Sequence, residues 1–192
     1  MSSFLARYPK VRLQLIATDR PVDLIEERID LALRVRITLD SDAALTMRSL
    51  GVSTRILVAS PQVASQVADL EQLSVQPLLA SSDTADETEW HLITADGRAH
   101  VVCREPRLGC ADMAAVRNAA IEGLGIALLP DHVCRNALAE GRLVRVLSAW
   151  GGRRGLVHLV FTTRRGLPPA VRALIDHLAA CFPRNALTGT GF

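Results

Sequence analysis

The sequence predicts an α/β protein built as two lobes, and three observations predict it. Apolar runs of strand length alternate with segments of helical period along most of the 192 residues. Strand-like segments near both ends flank a middle block that carries strands and helices of its own. A break at Ser60-Pro61 and a return near Leu156 mark where the chain leaves the first lobe and comes back. The expected division is lobe I at 1–60 plus 157–184, lobe II at 61–156, and a frayed tail at 185–192. Two crossings make a hinge, and an interlobe cleft is a natural place for a small molecule.

The elements follow in order. Phe4–Tyr8 reads as the end of a helix stopped by Pro9. Val11–Ala17 (VRLQLIA) alternates apolar and polar residues, as a half-buried strand does. Asp19 is a cap and Pro21 a first-turn residue for a short helix, Val22–Ile29, and Asp30–Arg36 (DLALRVR) reads as a second strand. Strand, helix and strand make a βαβ unit, so a parallel sheet is expected. Leu45–Gly51 and Thr54–Ser60 are two more strands, and a helix is expected over 61–73. A short apolar run at Val75–Ala80 precedes an acidic loop. Asp96-Gly97 between WHLIT and AHVVCRE marks a hairpin. Asp112 is a natural N-cap for a helix ended by Gly123 and Gly125. A buried strand IALL stopped by Pro130, a second helix, a strand RLVRVL and a strand Leu156–Thr163 follow. The final helix starts at Pro168-Pro169, carries Val171, Leu174, Ile175 and Leu178 as one apolar stripe, and stops at Pro183.

Composition excludes several classes. The chain is 49% hydrophobic and 22% charged with a net charge of +2, ordinary for a globular protein and too balanced for a dedicated nucleic-acid module. No window is long enough to span a membrane, and no signal peptide is visible, which makes the cytoplasm the expected location. Cys103, Cys110, Cys134 and Cys181 form neither CxxC nor zinc-finger spacing, so reduced thiols and no metal site are expected. The five histidines sit on different elements, and there is no G-x-S-x-G elbow, H-E-x-x-H or Gly-rich phosphate loop. No catalytic set and no cofactor are expected. A helix-turn-helix at 119–138 is excluded because Pro130 would fall inside its recognition helix.

The candidate site follows from strand ends. In parallel α/β sheets ligands lie beyond the carboxyl ends of the strands, beside helix N-termini. Thr18 and Asp19 end one expected strand, and Arg34 ends the next. The alternative role for Arg34 is a brace paired with Asp19 or Glu27, while Arg36 is expected to be solvated. On the second lobe Cys110, Ala111 and Asp112 precede a helix whose free N–H groups suit a carboxylate or other anion. Asp112 itself is expected to cap that helix, and Ser81 and Ser82 border the same region.

The ordered phrases FLARYP, VRLQL, DRPVDLIEERIDLALRVR, RSLG, RILVASP, GLGIALLPDHV, LAEGRLVRVL and RRGLPPAVRALIDHLAACF resemble the effector-binding domain of LysR-type transcriptional regulators, from about Phe4 to Phe182. The resemblance implies a type 2 periplasmic-binding-protein-like fold, with two α/β lobes and a small-molecule effector held in the cleft. It implies a homodimer or higher homo-oligomer, with Val22, Leu24, Ile25 and Arg28 on the segment that meets the partner chain. It also implies operator DNA as a partner, reached only through a helix-turn-helix domain that this sequence does not contain. The family's first strand of lobe I, which lies between the two strands of the Val11–Arg36 unit, is also missing here, so a truncated or mis-started gene product, or a fragment, with reduced stability is expected. The rival readings are a transporter's solute-binding protein, which shares the fold, and an enzyme built on it.

Overall fold

The computed structural model describes residues 1–18, 22–36, 45–82, 87–162 and 166–182. In chain order the first elements are α1 (Ser2–Arg7), β1 (Ala32–Arg36), β2 (Leu45–Ser53), β3 (Arg55–Ala59), α2 (Pro61–Ala64), α3 (Leu70–Val75) and β4 (Leu78–Ala80). Then come β5 (Thr88–Thr94), β6 (Ala99–Arg104), β7 (Leu108–Gly109), α4 (Met113–Ile121), β8 (Ile126–Pro130) and α5 (Asp131–Ala139). The last are β9 (Val144–Arg145), β10 (Trp150–Gly152), β11 (Gly155–Thr162) and α6 (Pro169–Cys181).

The chain forms two compact units, Met1–Val52 with Gly155–Gly191, and Ser53–Arg154. The sequence places the first crossing at Ser60-Pro61. It lies instead at Val52/Ser53, because β3 hydrogen-bonds to β8 and β10 and so belongs to the second unit.

In the first unit the sheet order is β1-β11-β2 among the described residues. β1 runs antiparallel to β11, with Leu33 opposite Leu159, Arg34 opposite His158 and Val35 opposite Val157. Leu50, Val157, Leu159 and Ile175 form the core, with Val171 and Leu178 of α6 against it. Phe4 of α1 is fully buried, 4.9 Å from the Tyr8 ring and 5.4 Å from the His177 ring.

Three expectations fail in this unit. Val11–Ala17 forms no strand: it has no ladder partner among the described residues, and Leu15 and Ile16 are 71% and 56% exposed. Its alternation has the right period, but a strand also needs a neighbour to take its backbone groups. Without that strand there is no βαβ unit, and the pairing of β1 is antiparallel rather than parallel. The expected helix Val22–Ile29 is a single turn. Asp23 caps it, accepting from the Ile25 and Glu26 amides at 2.8 and 2.9 Å. Arg28 closes it in the left-handed region at φ 54°, while the Ile29 amide donates to the Leu24 carbonyl at 2.9 Å. The proposed cap Asp19 and the residue Pro21 lie outside the described residues.

The second unit holds the order β6-β5-β10-β3-β8-β4-β7, with β9 paired to β3. Its central strands are apolar on both faces, which is why they read as continuous hydrophobic runs. Ile56 and Val58 of β3, with Ala127 and Leu129 of β8, meet Val116 and Ala120 of α4 and Cys134 of α5. The alternate residues Leu57, Ala59, Ile126 and Leu128 meet Leu73 of α3 and Trp90, Leu92 and Val102 of the hairpin. The hairpin β5–β6 forms as its Asp96-Gly97 turn predicts, with Gly97 at φ 85°.

The helix expected over 61–73 is two. Ser60 caps α2 through the Val63 amide, and Asp69 restarts the chain as the cap of α3, accepting from the Gln72 amide at 2.8 Å. Gln72 Oε1 in turn accepts from the Ala68 amide at 2.6 Å, close to a capping box. The expected strand RLVRVL shortens to β9 because Leu147 turns the chain at φ 45°.

Candidate functional site

The parallel pair β4–β7 builds the candidate site in the second unit. Leu79 stands beside Leu108 and Ala80 beside Gly109, and the Cys110 amide donates to the Ala80 carbonyl at 3.1 Å. Ser81 and Cys110 therefore leave the sheet side by side, past the carboxyl ends of their strands. Ala111 is exposed and leads directly into α4.

Asp112 caps α4, its Oδ1 accepting from the Ala114 amide at 2.8 Å, as the sequence predicts. The Met113 and Ala115 amides, the other first-turn donors, take no acceptor among the described residues. The helix start leaves these amides, and the positive end of its dipole, beside Ser81, Cys110 and Ala111. Such a rim suits a small ligand bearing an anionic or strongly polar group. Gly125, behind it, serves packing. A Cβ there would press on the Pro77 carbonyl, which instead accepts the Ile126 amide at 2.9 Å.

The first-unit candidates are placed differently. Arg34 is half-buried and its Nη2 donates to the Val22 carbonyl at 2.6 Å, which ties β1 to the 22–28 turn. The sequence offered a brace to Asp19 or Glu27 as one role for Arg34, and the brace found runs to a backbone carbonyl. Arg36 is exposed, as expected. Thr18 is exposed in irregular backbone, and Asp19 lies outside the described residues. Of the four interface candidates, Leu24 is buried at 2% exposure within its own unit, Ile25 is 42% exposed, Arg28 is exposed and Val22 is half-buried.

The thiols have distinct surroundings. Cys134 is fully buried, and burial pushes its pKa from 9.0 up to about 11. Cys103 is exposed and its pKa is raised by a hydrogen bond to Glu87. All four cysteines are free, and no group of three metal-ligating side chains gathers among the described residues.

Sequence reasoning missed one feature, an open depression of about 490 Å³ lined by Asp69, Glu71, Arg98, Leu147 and Trp150. Its signal was weak: Arg98 follows the hairpin turn, and Trp150 precedes two glycines that break the strand pattern. Arg98 is already engaged there, its Nε 3.0 Å from Asp96 and its guanidinium 5.7 Å from the Trp150 ring centre.

The fold is mixed α/β, with Ser81, Cys110 and the first turn of α4 past the ends of the parallel pair β4–β7. The description "LysR substrate binding domain" matches residues 1–182, and the chain belongs to that family. It is 31% identical over 183 residues to the transcriptional regulator PtxR of Pseudomonas aeruginosa, covering 92% of this chain and 57% of that protein. It is 29% identical to the probable regulator LtrA of Klebsiella pneumoniae, over 95% of this chain and 60% of that one. Among solved structures, the full-length Vibrio cholerae virulence activator AphB matches with TM-score 0.79 and 30% identity, over 95% of this chain and 62% of that one. The AphB regulatory domain of Vibrio vulnificus matches with TM-score 0.75 and 29% identity, over 93% and 87%. The chain thus spans about 57–60% of the length of these curated relatives. They are transcriptional regulators, which sets aside the solute-binding reading. No helix among the described residues is long and apolar enough to cross a membrane.

Proposed function

We propose that this chain senses a small-molecule effector in the cytoplasm for a LysR-type regulator, dimerises, and reports occupancy to a helix-turn-helix domain outside this sequence. Family membership supports the class of function. The observation that carries the site is the convergence of Ser81, Cys110, Ala111 and the first turn of α4 past β4 and β7. The effector presents a carboxylate or comparable group to the Met113 and Ala115 amides, with the Ser81 hydroxyl beside it. Val22, Ile25 and Arg28 of the first unit offer surface for a partner chain. The domain grips its ligand without turning it over. It couples to DNA by favouring one conformation of the regulator over another.

A thermal-shift screen of small organic acids and amino acids tests this. At least one compound should raise Tm, and Ala111→Trp, which fills an exposed rim position, should reduce that shift tenfold or more in ligand concentration. A shift unchanged by Ala111→Trp would refute the site. Conversion of the compound on incubation would refute the non-catalytic reading.

A further inference from the structure

The depression beside Trp150 is built by three segments of the second unit: the start of α3, the β5–β6 turn and the approach to β10. Its volume of about 490 Å³ is that of a small-molecule site. One side is aromatic. Leu147 turns the chain at φ 45°, the Trp150 amide donates back to the Leu147 carbonyl at 2.7 Å, and the half-buried indole that follows lines the depression. That ring already carries an organic cation of the chain's own, since the Arg98 guanidinium lies 5.7 Å from its centre. The Asp96 carboxylate oxygens accept from Arg98 Nε at 3.0 and 3.3 Å, so this pair is balanced in charge.

The α3 side is acidic, with the exposed Asp69 and Glu71. Asp69 accepts from the Gln72 amide and pairs with no cation among the described residues. The Glu71 carboxylate takes neither a hydrogen bond nor an ion pair among them. Two uncompensated carboxylates and an indole therefore line one cavity. An anion would be repelled by both acids. A metal ion gains little from the ring, and no group of three metal-ligating side chains gathers among the described residues. A guanidinium or alkylammonium gains from the carboxylates and from the quadrupole of the ring together.

We propose that this depression is a second small-molecule site, which takes an organic cation bearing a guanidinium or alkylammonium group. Trp150 is its aromatic wall, and Asp69 and Glu71 are its counter-charges. It shares no residue with the site at Ser81, Cys110, Ala111 and α4, so it stands or falls separately from the effector reading.

The chain has two tryptophans, hence two indole N–H signals in proton–nitrogen NMR, and Trp150→Phe assigns them. Agmatine, added to the 192-residue chain, should shift the Trp150 signal saturably and leave that of the buried Trp90 in place. Glutarate, and sodium chloride at matched ionic strength, should shift neither. Glu71→Gln should raise the agmatine Kd threefold or more. Asp69→Asn keeps the cap of α3, and combined with Glu71→Gln it should raise the Kd tenfold or more. Glu105→Gln with Glu122→Gln removes two exposed charges elsewhere in the second unit and should leave the Kd unchanged. Acetyl-Gly-Arg-Gly-amide offers the same guanidinium on a peptide and should bind more weakly than agmatine, whose ammonium meets the second carboxylate. A Trp150 signal that does not saturate, an equal shift from glutarate or salt, a Kd indifferent to both Glu71→Gln and the Asp69–Glu71 double substitution, or tighter binding of the peptide would each overturn the proposal.

Discussion

Arg34 shows how one residue can be legible in kind and illegible in detail. An arginine in an apolar strand has to reach water, a ligand or an acceptor, and the sequence says only that much. The acceptor is a backbone carbonyl twelve positions back, at 2.6 Å, which no motif announces. Arg34→Met should cost about 1.5–3 kcal/mol in urea unfolding, the range for a hydrogen bond to a charged group. Cys134 is the opposite case, since its burial follows from the apolar face of α5. The folded thiol keeps its proton to about pH 11, whereas an unfolded one loses it near 9.0. The Cys134 contribution to stability is therefore complete below pH 9 and is lost as pH rises from about 9 to 11, by about 1–3 kcal/mol. Cys134→Ala should remove that part of the slope in chemical unfolding curves at pH 8, 9.5 and 10.5. A slope identical in both proteins would assign the loss to other groups.

At the scale of elements, local signals succeeded where the determinant is local. The hairpin at Asp96-Gly97, the Asp112 cap and the proline start of α6 are all set by residues within a turn of the feature. Signals failed where the determinant is a neighbour far away in sequence. Val11–Ala17 has a strand's pattern and no partner strand among the described residues. β10 carries two glycines that hide it in the sequence, because Arg55 of β3 leaves no room for a Cβ at Gly152. The candidate rim divides in the same way: the α4 cap was legible, whereas the adjacency of Ser81 and Cys110 depends on the β4–β7 pairing. Gly125 is a further case. Gly125→Ala would drive a methyl group against the Pro77 carbonyl, and should lower stability by about 1–3 kcal/mol in a thermal or denaturant melt. An unchanged melt would mean that the 77–78 backbone gives way freely.

At the scale of the molecule, the ordered series of phrases pointed to the family before any contact was known, and the match over residues 1–182 bears that out. The fold class was legible because α/β alternation is a property of the whole chain. The crossing point was not, because Arg55–Ala59 is an apolar strand that would suit either sheet, and only its pairing with β8 and β10 assigns it. That pairing has a consequence for engineering. Ser53–Arg154 is one unbroken stretch of polypeptide, and its first and last strands lie side by side through Ile56 and Gly151. It enters and leaves like a cassette in a slot, so it can be cut out, exchanged between paralogues or given new termini at a single seam. The first unit has no such freedom, since its two parts lie on either side of that stretch.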